Sequence, residues 1–125
     1  MAYGPGGGAE TDGEVFVFVG DGSYLMMNSD LYSSVLAGHK MIVIICDNGG
    51  YAVISRLQKF KGTPGFNNLL RDCRIKGEGE PQHVDFAAHA RSMGAEARHC
   101  ESLADFEAAL EWAKTGKQRL LVLLK

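Results

Sequence analysis

Gly20–Asn48 reads GDGSYLMMNSDLYSSVLAGHKMIVIICDN, and the architecture follows from its two ends. Gly20-Asp21-Gly22 closes the apolar run Glu14–Val19 (EVFVFV), whose β-branched and aromatic content predicts a strand. Asp47-Asn48 closes a second run, Met41–Cys46 (MIVIIC), apolar throughout as a central strand covered on both faces must be. Twenty-four residues separate Gly22 from Asp47, the length of one crossover helix with its turns. Ser23–Leu36 predicts that helix, with Leu25, Asn28, Leu31 and Val35 near one stripe and Leu36 beside it, Ser23 a candidate cap and Gly38 a stop. Ligands of open α/β sheets bind beyond the carboxyl ends of their strands, so both motifs fall at one sheet edge, side by side.

The chain beyond this stretch continues the alternation. Gly49-Gly50 leads into a short helix, Ala52–Phe60, then a long segment, Lys61–Gln82, rich in Gly, Pro, Asn and charge. Connections of that length are usually functional or mobile. Asp85–Met93 predicts a helix ended by Gly94, Ala95–His99 a short strand, and Arg119–Leu124 the last strand. Ser102–Ala113 predicts a helix capped by Ser102, with Leu103, Phe106, Leu110 and Ala113 as its stripe. Strands alternating with helices imply right-handed crossovers. The predicted fold is α/β: a three-layer, doubly wound, mostly parallel sheet of about four strands with helices on both faces, fewer strands than the usual 5–6. Such a sheet is cut short or completed by a partner. Residues 1–12 lack periodicity and read as a flexible leader, leaving 13–125 as the domain.

Composition narrows the function. At 125 residues and 46% hydrophobic content there is one domain with a real core. A formal net charge of -2 gives no sign of a nucleic-acid or membrane partner. No apolar run approaches the ~20 residues of a membrane span, and no signal peptide is visible. Cys46, Cys73 and Cys100 are odd in number and widely spaced, which suits reduced thiols in a cytoplasmic protein, with Cys46 filling a strand. Met26, Met27 and Met41 read as core and Trp112 as packing. His39, His83, His89 and His99 lack metal-ligand spacing, and no Ser-His-Asp order or nucleophile elbow is present. No catalytic residue is assigned.

The chemistry lies in the paired turns. Each alone reads as a tight turn, since Gly-Asp-Gly and Asn-Gly both favour one. Two acidic or amide turns at neighbouring strand ends instead form a set of hard oxygens suited to Mg²⁺. Asp21 offers a charged ligand, Asn48 a neutral carbonyl oxygen, and the main-chain carbonyl of Gly50 a third. Two diphosphate oxygens and a water would complete an octahedral shell. Backbone amides near Gly22-Ser23 would face the diphosphate. Asp47 has two readings: it can hold the loop by an Asx turn, and a second carboxylate there would repel diphosphate.

This pair of motifs resembles the thiamine-diphosphate-dependent enzymes, whose signature is Gly-Asp-Gly, a gap in the twenties, then Asn-Asn or a close variant. Here Asp47 replaces the first Asn and Asn48 keeps the second. The resemblance implies thiamine diphosphate and Mg²⁺ as cofactors, with Gly20, Asp21, Gly22, Ser23, Asn48, Gly50 and Tyr51 on the cofactor and Asp21, Asn48 and Gly50 on the metal. VGDGSYLMMNSDL and DNGGYAVISRLQ, with Ile54, Leu57 and Gln58, are similar to the branch that opens a cyclic dione ring with water in myo-inositol breakdown. Members are four to five times longer and carry a pyrimidine-binding domain with an activating glutamate. The resemblance thus implies a diphosphate-side fragment of a longer enzyme, partnered by a pyrimidine-binding domain or subunit, forming a dimer or more, acting on a small molecule, and inactive alone. The long segment with Arg71, Asp72 and Arg74 would help to close the active site. Arg56, Lys59 and Lys61 read as a solvated face, the alternative being Arg56 near substrate in an assembled enzyme.

The rivals are a domain of a 2-oxoacid decarboxylase or acetolactate-synthase-like enzyme, and an inert domain that keeps the fold without cofactor. A nucleotide binder is disfavoured because GxGxxG and GxxxxGK[ST] are both absent.

Overall fold

The computed structural model describes residues 14–73, 83–116 and 120–124. The leader assigned to residues 1–12, and Arg74, lie outside them. Strands β1 (Phe16–Gly20), β2 (Ile42–Cys46), β3 (Glu96–Cys100) and β4 (Leu120–Leu124) form one sheet, all parallel, in the order β1-β2-β4-β3. Helices α1 (Asp21–Met26), α2 (Ser29–Ala37), α3 (Ala52–Phe60), α4 (Phe86–Ser92) and α5 (Leu103–Thr115) connect them, with a 3₁₀ turn at Leu70–Asp72.

The winding explains the layers. From β1 through β2 to β3 the chain moves one way across the sheet, and α1, α2 and α4 lie on one face. Between β3 and β4 it reverses, so a right-handed crossover puts α5 on the opposite face. Side chains alternate accordingly. Val17, Val43, Ile45 and Ala97 pack with Tyr24, Leu31, Phe86 and Ala90. Ile42, Ile44 and Cys100 pack with Ala109 and Ala113. Met41–Ile45 is buried throughout, as predicted for a strand covered on both sides, and burial of each large side chain contributes about 1.5–3 kcal/mol.

The helix predicted over Ser23–Leu36 is two helices. The Asn28 side-chain amide donates to the Leu25 carbonyl at 3.1 Å, competing with the helical ladder at the break. The break changes the phase of the buried stripe. Tyr24, Leu31 and Ser34 turn inward, while Leu25 and Leu36 are exposed. Met26 and Met27 are also exposed and only Met41 joins the core. Ser23 does not cap: the helix starts at Asp21 with Gly20 at the N-cap. Gly38 ends α2 in the left-handed region, as predicted. Ser102 caps α5 by accepting from the Asp105 N–H, but Leu103 is exposed and Ala109 takes its place in the core. Cys46 is the last residue of β2, as predicted, and is exposed there.

Candidate cofactor and metal site

The register of β1 on β2 builds the site. Gly20 pairs with Cys46, so Asp21 and Asp47 leave the sheet side by side and Asn48 follows one residue later. Asp21 begins α1 and is only 3% exposed. One carboxylate oxygen accepts the Gly50 N–H, which ties α1 to the loop after β2. Burial raises the Asp21 carboxyl above its ordinary value of 3.8, opposed by the N–H groups of Gly22, Gly50 and Asn48 and reinforced by the charge of Asp47.

Asp21, Asn48 and Gly50 converge here. The end of the Asn48 carboxamide lies 3.0 Å from the Gly50 carbonyl oxygen and 3.1 Å from Asp21 Oδ1, where its nitrogen donates to both. Turned by 180°, the amide offers its oxygen beside theirs, an arrangement a cation between them would favour. Neighbouring ligands of an octahedral ion with bonds of 2.0–2.1 Å are about 2.9 Å apart, so this donor set fits Mg²⁺. The Gly50 carbonyl also accepts the Ala52 N–H at 3.0 Å, and its second lone pair is left for an ion. Among the described residues no cluster of His, Cys, Asp and Glu alone could hold a metal. A mixed carboxylate, carboxamide and carbonyl set is the hard-oxygen alternative.

Glycines make the close approach feasible. Gly50 has φ 129°, and a Cβ there would stand 2.5 Å from the Asn68 carbonyl. A Cβ on Gly22 would stand 2.7 Å from the Tyr51 ring. Tyr51 thus packs over α1 and lines, with Asp21 and Asp47, a cavity of about 180 Å³. Ser23 is exposed on α1, outside the convergence of Asp21, Asn48 and Gly50. Gly20 lies beneath Asn48, with 3.9 Å between the site of its missing Cβ and the amide nitrogen.

Sequence reasoning missed the brace behind this loop. The Asn68 carbonyl accepts the Tyr51 N–H at 2.7 Å, and the Gly49 carbonyl accepts the Leu70 N–H at 2.8 Å. Gln58 Oε1 in turn accepts from the Phe66 N–H and the Asn68 amide. Gln58 belonged to the run that distinguished the branch; Asn68 had no signal beyond its place in a long connection. The sequence also gave no sign of the Tyr24 hydroxyl meeting His89 Nδ1 at 3.0 Å. That contact joins α1 to α4, and burial pushes the Tyr24 hydroxyl up to about 12.

A parallel sheet with helices packed on its faces is the fold of thiamine-diphosphate enzymes. Residues 1–124 match the family described as "Thiamine pyrophosphate enzyme, C-terminal TPP binding domain", and the chain belongs to that family. Its relatives include 3D-(3,5/4)-trihydroxycyclohexane-1,2-dione hydrolases. That of Listeria monocytogenes serotype 4b (strain F2365) is 34% identical over 112 residues, covering 90% of this chain and 17% of that protein. That of Clostridium tetani (strain Massachusetts / E88) is 32% identical over 120 residues, 94% of this chain and 19% of that protein. That of Bacillus thuringiensis (strain Al Hakam) is 36% identical over 121 residues, with the same coverage of 94% and 19%. The chain therefore spans less than a fifth of the length of these relatives. The Rhodococcus jostii RHA1 thiamine diphosphate-dependent 4-hydroxybenzoylformate decarboxylase shares the fold, with a TM-score of 0.76 at 22% identity over 91% of this chain and 20% of that one. Among the described residues, no helix is long and apolar enough to cross a membrane.

Proposed function

We propose that this chain holds the diphosphate end of thiamine diphosphate through Mg²⁺. Asp21, Asn48 and the Gly50 carbonyl are the metal ligands, and Gly20, Gly22, Ser23 and Tyr51 shape the cofactor side. The observation that carries this is the Asn48 carboxamide end lying 3.0 Å from the Gly50 carbonyl oxygen and 3.1 Å from Asp21 Oδ1. When bound, the cofactor supplies carbanion-stabilising chemistry. The chain's own part is to fix the diphosphate: Asp21 neutralises cation charge, the Gly50 N–H orients that carboxylate, and the glycines let backbone and Tyr51 close around it. A six-residue α1 has a small dipole, so the cation is the main anchor for the diphosphate.

The parent activity is hydrolysis of a carbon–carbon bond in a cyclic dione of inositol catabolism, a reading supported by relatives 32–36% identical that are named trihydroxycyclohexane-1,2-dione hydrolases. Catalysis needs a pyrimidine-binding domain or subunit, and assembly into a dimer or higher oligomer completes the site. Three free thiols suit the reducing cytoplasm.

Calorimetric titration of the chain with thiamine diphosphate and Mg²⁺ tests the binding. Saturable heat that disappears on omission of the metal is expected. Absence of heat at millimolar ligand would make this an inert domain of the same fold. Turnover of the cyclic dione in preference to pyruvate by the parent enzyme tests the substrate; the reverse preference would place it with the decarboxylases and synthases.

A further inference from the structure

Asp47 lies beside the proposed cation site, and the donor set above does not use it. It emerges from β2 beside Asp21. Its Oδ1 accepts the Gly49 N–H at 3.0 Å, folding the carboxylate over the loop that carries the Gly50 carbonyl. Asp21 and Asp47 line the same cavity, and among its described lining residues there is no Lys or Arg. Asp47 also borders a second cavity with Arg91 and His99, yet forms no ion pair with either.

We propose that Asp47 is a second anionic group of the cation site, shaping the metal loop through its Asx turn and imposing an order in which the divalent ion binds before the diphosphate. This rests on the cation site proposed above. Without the ion the site carries two adjacent negative charges and repels a diphosphate. A divalent cation cancels both, and only then is the anion admitted. The same charge that deters the cofactor strengthens the metal, since one more carboxylate a few ångströms from a divalent ion in water-like surroundings is worth about tenfold in affinity.

Asp47→Asn separates charge from shape, because the amide oxygen still accepts the Gly49 N–H. Two probes are titrated against the full chain: Mn²⁺ alone, followed by water-proton relaxation, and inorganic pyrophosphate alone with chelator present, followed by calorimetry. The variant should bind Mn²⁺ about tenfold more weakly and pyrophosphate several-fold more tightly, both differences shrinking as salt is raised. Opposite signs are the signature of charge; a damaged fold weakens both, and circular dichroism reads the fold directly. Equal Mn²⁺ affinities for the two proteins, or weaker binding of both probes by a folded variant, would overturn the role of Asp47. If the unaltered chain binds no Mn²⁺, the cation site itself is wrong and this inference goes with it.

Discussion

Asp21 is held at a cost. Its carboxyl is raised by burial, so the folded chain binds that proton more tightly than the unfolded chain does. The stability this proton contributes is present below the ordinary value of 3.8 and is lost as pH rises through the raised folded value. Asp21→Asn should therefore raise the melting temperature by a few degrees at neutral pH with chelator present, and the gain should vanish in acid. The same variant should lose Mn²⁺ affinity by at least about a hundredfold, since even outer partners of metal ligands are worth 10–100-fold. A variant less stable at neutral pH than the parent chain would contradict the burial argument. The identities and spacing of Asp21, Asn48 and Gly50 were legible in the sequence. The direction of their oxygens was not, because it depends on the turn at Gly49-Gly50 and on the Gly50 N–H reaching back across 29 residues to Asp21.

The helix α3 does more than follow the metal loop. Through Gln58 it holds Phe66 and Asn68, and the Asn68 carbonyl in turn holds the Tyr51 N–H. Its main-chain carbonyl at the same residue also accepts the Thr63 hydroxyl at 2.8 Å. Gln58→Ala should speed hydrogen exchange at the Tyr51 and Leu70 amides by about tenfold, while global stability falls by no more than about 1 kcal/mol, the worth of an ordinary hydrogen bond. Unchanged exchange at both amides would show that the segment is held by other contacts. Element existence was readable from periodicity, and Ala52–Phe60 is the helix that the sequence predicted. The split between α1 and α2 was not, since Asn28 passes as a polar residue on an apolar stripe until its side chain is seen bonding the Leu25 carbonyl.

The molecule as a whole leaves apolar surface uncovered. Face to face with α5 lie Ile42 and Ile44, but β1 extends past that cover, and Phe16 and Phe18 on the same side are 39% and 65% exposed. On α3, Val53, Ile54, Leu57 and Phe60 are exposed as well. Surfaces of this kind promote association. Phe18→Lys should reduce concentration-dependent light scattering of the chain with a stability change within about 0.5 kcal/mol, as for exposed sites generally. A large loss of stability would instead mean that Phe18 packs within this chain. Sequence pattern anticipated a small sheet, and the described residues form one of four strands. Which strand would be left bare depended on the order β1-β2-β4-β3, a consequence of where the chain reverses.

Local chemistry alone determined that parallel strands alternate with helices, that β2 is central, and that a carboxylate and an amide end adjacent strands. Those features depend on hydrophobic period and turn residues, which act over a few positions. Tertiary packing alone settled the strand order, the break in the first crossover, the Gln58–Asn68 brace and the meeting of Asp21, Asn48 and Gly50. Each of these joins groups far apart in sequence, and their geometry exists only once the sheet has brought its strand ends together.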